Sequence, residues 1–251
     1  MKLEPVVITM GDTDVSILCR PHTKDARILE EVVHKQCYRH TRVPFGVEPK
    51  ERWLDLGAHI GAFACHCCKY GGSVYCFEPD KENYTILRKN LVRMNRALCR
   101  FQGRCEQAVY SCFPDPQLPL LTPTSRREGE IPNTKYSIFP MKSYQPLGQV
   151  TNYQFSPETT EGFQGIKMDI EGAEHGILDN LLDSPPSTDI QKMVIEYHFT
   201  KDRSMQHFKR RMDNLREYFT TVRYPPHLDR FLAEGKAEYP GYFDRLIFCV
   251  R

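Results

Sequence analysis

The chain has 251 residues, 40% of them hydrophobic, and 34 Lys and Arg against 32 Asp and Glu leave a formal net charge of only +2. That balance argues against a chain that lives on nucleic acid, which usually carries a clear basic excess, while the hydrophobic fraction suffices for a buried core. No apolar run approaches the roughly 20 residues that span a bilayer, and residues 1–14 lack a basic region followed by an apolar stretch, so a cytoplasmic protein with reduced cysteines is expected.

Residues 5–9 and 15–19 flank Gly11-Asp12-Thr13-Asp14 and predict a β-hairpin. Ile28, Leu29, Val32 and Val33 recur at helical spacing and predict a helix over 24–38, which Pro44, Gly46 and Pro49 then break. Residues 1–50 are thus read as an extension ahead of a domain over 51–251. A strand over 53–56 leads into a helix over about 62–69, and a strand over 74–77 into a helix that Asp80 caps and that runs to about Asn95. Strand and helix alternating at this spacing imply parallel strands with right-handed crossovers. From about 113 to 157 the chain is rich in proline and has no helical period, apart from a short strand expected over 136–139. Such a long loop inside a domain is uncommon, and we read it as an insertion covering the substrate side, the alternative being a surface excursion with no role. The alternating pattern returns with strands over 165–170, 193–199 and 245–250, a helix carrying Ile177, Leu181 and Leu182, and an amphipathic helix over 203–219.

The motif Asp55-Leu56-Gly57-Ala58-His59-Ile60-Gly61 falls directly between a strand and a helix. Gly57 permits a tight turn where a side chain would meet a ligand, and Gly61 lets the helix pack closely. The helix start offers N–H groups to an anion, here the carboxylate of a bound amino acid. Alone, a glycine pair at this spacing is equally a plain strand-to-helix turn. Two carboxylates add weight. Glu78 ends the second strand, where an acidic side chain can accept both hydroxyls of a ribose, and Asp169 ends the next clear strand. In open parallel sheets the ligand lies outside the carboxyl ends of the strands, so these groups are expected to face one crevice.

Three strings carry a resemblance: Trp53-Leu54-Asp55-Leu56-Gly57-Ala58-His59-Ile60-Gly61, Phe77-Glu78-Pro79-Asp80 and Ile166-Lys167-Met168-Asp169-Ile170-Glu171-Gly172-Ala173-Glu174. Over roughly residues 52–199 the chain resembles the FkbM-type family of S-adenosylmethionine-dependent methyltransferases. The resemblance implies an α/β, Rossmann-like sheet of seven mostly parallel strands with helices on both faces. It also implies S-adenosyl-L-methionine as donor, S-adenosyl-L-homocysteine as product, and a hydroxyl acceptor on a sugar, glycan or other small molecule. The donor-binding set it implies is Asp55, Gly57, Ala58, His59, Gly61, Glu78, Pro79, Glu106, Gln107 and Asp169. Within that set Gly57 and Gly61 frame the methionine end, Glu78 holds the ribose, and the segment around Glu106 and Gln107, at the end of the third strand, borders the adenine. Position 59 departs from the family, which more often has Asn there. Residues 1–50 and the insertion lie outside the resemblance.

A hydroxyl acceptor must lose its proton, and the candidate bases are Asp169, Glu171, Glu196 and His198. Glu196 and His198 are two apart on a strand and share a face. His198 is the expected base, because an imidazole titrates near neutral pH, with Glu196 orienting it or binding the acceptor. Glu196 read more plainly is a hydrogen-bonded carboxylate fixing the sheet, and Glu171 and Glu174 are read as partners of their own helix start. Asp169, Glu196 and His198 are also acceptable ligands for Mg²⁺ or Mn²⁺, although a site without metal is the expectation. Cys65-His66-Cys67-Cys68 lacks the second ligand pair of a zinc site and reads as buried thiols. Lys209, Arg210, Arg211 and Arg216 read as the solvated face of their helix. The alternatives to an O-methyltransferase are two. An RNA methyltransferase on the same donor fold is disfavoured by charge and by the absence of an Asn-Pro-Pro-aromatic motif. A non-catalytic cofactor-binding module is disfavoured by Glu196 and His198.

Overall fold

The computed structural model describes residues 2–10, 13–102, 109–112, 160–241 and 243–251. The expected insertion, its short strand, and Glu106 and Gln107 lie outside the described residues. Period-two alternation builds the hairpin: β1 (Glu4–Met10) pairs antiparallel with β2 (Thr13–Cys19), burying Ile8, Met10, Val15, Ile17 and Cys19 and exposing Val7. The hairpin forms a sheet of its own. Helix α1 (Asp25–Leu29) runs directly into a π-helical turn over Glu30–His34. The helix expected over 24–38 is therefore shorter, because Gln36 adopts left-handed backbone at φ 53°.

The remaining elements are β3 (Arg52–Leu56), α2 (Ala62–Lys69), β4 (Ser73–Phe77), α3 (Lys81–Gln102), β5 (Val109–Cys112), β6 (Gly165–Met168), α4 (Glu174–Asp179), β7 (Lys192–Tyr197), α5 (Met205–Arg216), β8 (Thr221–Arg223), α6 (His227–Ala233) and β9 (Arg245–Val250). Asp80 caps α3 by accepting from the Asn83 N–H at 2.7 Å. That helix runs past Asn95, since neither glycine nor proline intervenes before Gly103. Ser204 caps α5 in the same manner, accepting from the His207 N–H.

The strands pair in the order β5-β4-β3-β6-β7-β9-β8. Neighbours from β5 to β7 are parallel, and β9 is antiparallel to both β7 and β8. The chain leaves β3 through β4 and β5, then returns to β3's other side as β6. That reversal puts the switch in strand order between β3 and β6, at whose carboxyl ends sheets of this kind bind ligands. Trp53, Val74 and Cys76 face one core shared with α2, α3 and the hairpin. Leu54, Leu56, Ile166 and Met168 face a second core closed by α4 and α5, so helices cover both faces. Helix α2 is buried from Ala62 to Cys68; Cys65, Cys67 and Cys68 are unbridged thiols, and burial depresses His66 to about 4. No helix among the described residues is long and apolar enough to cross a membrane.

Arg211, 3% exposed, anchors α5 to the second core. It donates to both oxygens of Asp179 at 2.8 and 2.9 Å, to Asp202 at 2.8 Å and to the Tyr197 hydroxyl at 2.6 Å. Burial alone would raise both carboxylates, but the hydrogen bonds to Arg211 and their other partners outweigh it and hold both below the usual range. A lowered folded-state pKa contributes stability above the unfolded value of about 3.9 and loses it as pH falls through the folded one. Arg211→Met is expected to cost about 3 kcal/mol, the low end for breaking a buried pair, because Asp179 is a third exposed. Urea midpoints measured from pH 7 down to pH 2.5 should then fall less steeply for the variant than for the wild type. Parallel curves would contradict this role.

Candidate active site

The turn after β3 is set by a close backbone approach. Gly57 has φ 80°, and a Cβ there would overlap the carbonyl oxygen of Asp169, at the end of β6. The N–H groups of Gly57 and Ala58 both donate to the Phe77 carbonyl at 3.0 Å, which ties the turn to β4. His59 has φ 51°, a conformation that His, like Asn, adopts more readily than most residues. The departure from Asn at this position therefore leaves the turn intact. Gly61, at φ 99°, starts α2.

Glu78 follows β4 and is 5% exposed. One carboxylate oxygen accepts from the His59 N–H at 2.6 Å and the other from the Asp80 N–H at 2.9 Å. Burial pushes its pKa up, and these bonds, with one from the Asn83 side chain, pull it back. The two carboxylate oxygens offer four lone pairs, so the three bonds leave acceptor capacity beside the glycine turn.

Residues ahead of β3 brace this turn, a contribution the sequence did not reveal. Asn90 of α3, fully buried, accepts from the Leu18 N–H at 2.8 Å and donates to the carbonyls of Leu18 and Ile60 at 3.1 and 2.9 Å. It thereby joins the hairpin, α3 and the turn. The Arg20 guanidinium grips Asp25 with two bonds at 2.9 and 3.0 Å and also donates to His59 Nε2 at 3.0 Å. That bond leaves His59 Nδ1 to carry the proton.

Lys167, also missed from the sequence, is the register partner of Asp55 across β3 and β6. Its ammonium lies 3.0 Å from Asp55 and 3.7 Å from Asp169, and donates to the Gly57 carbonyl at 2.7 Å. Burial disfavours that charge, but the two carboxylates outweigh it and raise the Lys167 pKa. Asp55, fully buried, is pushed up by burial and pulled back by Lys167. It supports the turn from beneath. The Tyr38 hydroxyl donates to Asp169 at 3.4 Å.

Beside this turn, Asp169, Glu196 and His198 converge, with one ligand-type atom of each within 4.8 Å of the others. His198 lies just past β7, and its orientation comes from Glu174 rather than from Glu196. Glu174 Oε1 meets His198 Nδ1 at 3.0 Å and accepts from the His198 N–H at 2.9 Å. Its other oxygen accepts from the Gly172 N–H at 2.8 Å, so the helix-start role read for Glu174 is half of what it does. His198 Nε2 points toward Asp169 and Glu171, at 3.7 and 3.8 Å. Burial would lower His198, but the Glu174 bond and the neighbouring carboxylates raise it to about 9. Burial, reinforced by Asp169, pushes Glu196 up to about 7. Of the remaining expected residues, Ala58 is buried within the turn and Pro79 is exposed. Glu106 and Gln107 precede β5, which begins at Val109.

The family profile described as Methyltransferase FkbM domain matches residues 55–234. No curated protein matches the chain. Among solved structures, the chain is similar to Aeropyrum pernix fibrillarin in complex with natively bound S-adenosyl-L-methionine, at 12% identity over 98% of this chain and 82% of that one, TM-score 0.48. It is also similar to M. jannaschii TYW2 in complex with AdoMet, at 11% identity over 100% and 86%, TM-score 0.47. A third similar structure is precorrin-6y C5,15-methyltransferase from Geobacter metallireducens GS-15, at 9% identity over 90% and 86%, TM-score 0.39.

Removing the Lys167 charge leaves Asp55 buried without a counter-ion. Lys167→Met is expected to lower the unfolding free energy by about 3–5 kcal/mol, and Asp55→Asn added to it to restore part of the loss. Urea denaturation of the single and double variants measures both. A loss below about 1 kcal/mol would show that the ammonium does not hold the turn.

Proposed function

The chain belongs to the methyltransferase FkbM domain family, and we propose that it transfers a methyl group from S-adenosyl-L-methionine to a hydroxyl of a sugar, glycan or other small hydroxylated acceptor. The observation that carries this reading is one crevice with two kinds of chemistry: a glycine turn and a buried Glu78 on one side, and Asp169, Glu196 and His198 on the other. When bound, the donor supplies an electrophilic methyl group on a sulfonium.

The chain's own groups fit such a donor. Glu78 keeps acceptor capacity for a ribose hydroxyl beside its bonds from His59, Asp80 and Asn83. The start of α2 offers N–H groups to the carboxylate of the methionine end. Holding the nucleophile in line removes about 7–11 kcal/mol of barrier in favourable cases, so positioning is the main demand on the protein. The acceptor hydroxyl also has to shed a proton, and transfer to a placed base contributes roughly 10²–10⁴-fold. Raised to about 9, His198 is protonated near neutral pH and is not the base expected of it; Glu196, pushed up to about 7, is the group suited to take the proton, with the His198 imidazolium orienting the acceptor. S-adenosyl-L-homocysteine remains as product.

A hydroxylated acceptor suits this crevice better than an RNA. Asp169, Glu171 and Glu196 accept hydrogen bonds from hydroxyls and repel phosphates. The basic run on α5 is already occupied: Lys209 pairs with Asp213, Arg210 with Asp179, and Arg216 with Asp213.

The test is incubation with methyl-labelled donor and a panel of hydroxylated sugars alongside total RNA. Label in an alkali-stable methyl ether on a sugar is expected; label confined to RNA would refute the reading. His198→Ala should lower kcat by about 100-fold while donor-product affinity stays unchanged. Near-normal turnover would remove His198 from the reaction.

A further inference from the structure

We propose that Asp169, Glu196 and His198 form a binding site for one divalent transition-metal cation, of the Mn²⁺ class, in the acceptor half of the crevice. The donor set is mixed, two carboxylates and one imidazole, and comes from the ends of two adjacent parallel strands, β6 and β7. Ligand atoms within 4.8 Å of one another need only a small contraction to surround an ion at about 2.0–2.6 Å.

Four further observations point to a ligand. His198 is 3% exposed, yet its Nε2 makes no hydrogen bond among the described residues and is aimed into the cluster. Its other nitrogen is fixed at 3.0 Å by the fully buried Glu174, the carboxylate–histidine arrangement that orients imidazole ligands in metal sites. The Glu196 carboxylate, half-buried, receives no hydrogen bond among the described residues. Finally, Asp55, Asp169 and Glu196 act on the Lys167 ammonium, whose nearest carboxylate is Asp55 rather than Asp169, while Glu171 and Glu174 lie against His198, so carboxylates outnumber the cations. The acceptor side therefore carries an excess of negative charge that a cation relieves. The imidazole favours Mn²⁺ over Mg²⁺. A cation there acts on an acceptor hydroxyl by lowering its pKa, which deepens the methyltransferase reading and rests on it for its purpose, not for its existence.

The experiment titrates the chelator-treated full chain with MnCl₂, following free Mn²⁺ by electron paramagnetic resonance, with S-adenosyl-L-homocysteine binding measured in parallel by calorimetry. One Mn²⁺ per chain is expected. Glu196→Gln should weaken it at least about tenfold, Asp169→Asn with Glu196→Gln should abolish it, and Glu174→Gln should weaken it about 10–100-fold, each with an unchanged circular dichroism spectrum. Absence of stoichiometric uptake, or uptake unaltered in the Asp169→Asn/Glu196→Gln double variant, would overturn the site. Methyl transfer at full rate in excess chelator would overturn its role while leaving the methyltransferase reading standing. Mn²⁺ uptake without binding of S-adenosyl-L-homocysteine would sustain the site and refute that reading.

Discussion

The arrangement of the candidate site depends on one buried ammonium. Lys167 sits between Asp55 on β3 and Asp169 beyond β6, and bonds to the carbonyl of Gly57, where the glycine turn begins. It thereby fixes the two strand ends that flank the reversal in strand order. Gly57 completes the arrangement from the other side, since only a residue without Cβ lets the Asp169 carbonyl come so close. The glycine turn and the Asp169 end of β6 are thus joined directly, through Lys167 and through the close approach at Gly57.

A second consequence concerns the segment ahead of the matched family region. The hairpin and α1 contribute to the same turn through Asn90, Arg20 and Asp25. Asn90 bonds to both Leu18 and Ile60, so detaching the hairpin breaks the two bonds that Leu18 makes to a fully buried amide. Such a group is costly to leave unpaired. The extension is therefore part of the scaffold of the site. His59 fits this picture: its backbone takes the left-handed turn, and its ring receives a bond from Arg20.

The glycine turn and Glu78 were legible in the sequence because their signals are local, a strand ending in glycine and a strand ending in an acid. Lys167 was not, because its role follows from the register Asp55–Lys167 between strands far apart in the chain, and a lone lysine in an apolar strand has no local signature. Glu174 was read as a partner of its own helix start, which holds for one oxygen only; the other reaches His198 across β6 and β7. Sequence periodicity placed the main strands and helices but not their ends, as Gln36 shows with its left-handed backbone. It also passed over β8, which has three residues, and α6, whose signal is a helix start after Pro225-Pro226.

In the proposed function Glu78 grips the ribose of an adenosyl sulfonium donor. Isothermal titration of the pure protein with S-adenosyl-L-homocysteine tests it most directly, with Glu78→Ala as the comparison. One saturable site per chain is predicted, weakened at least about tenfold in the variant by the loss of charge-assisted hydrogen bonds to the ribose. No uptake by the wild type, or equal uptake by both proteins, would contradict it.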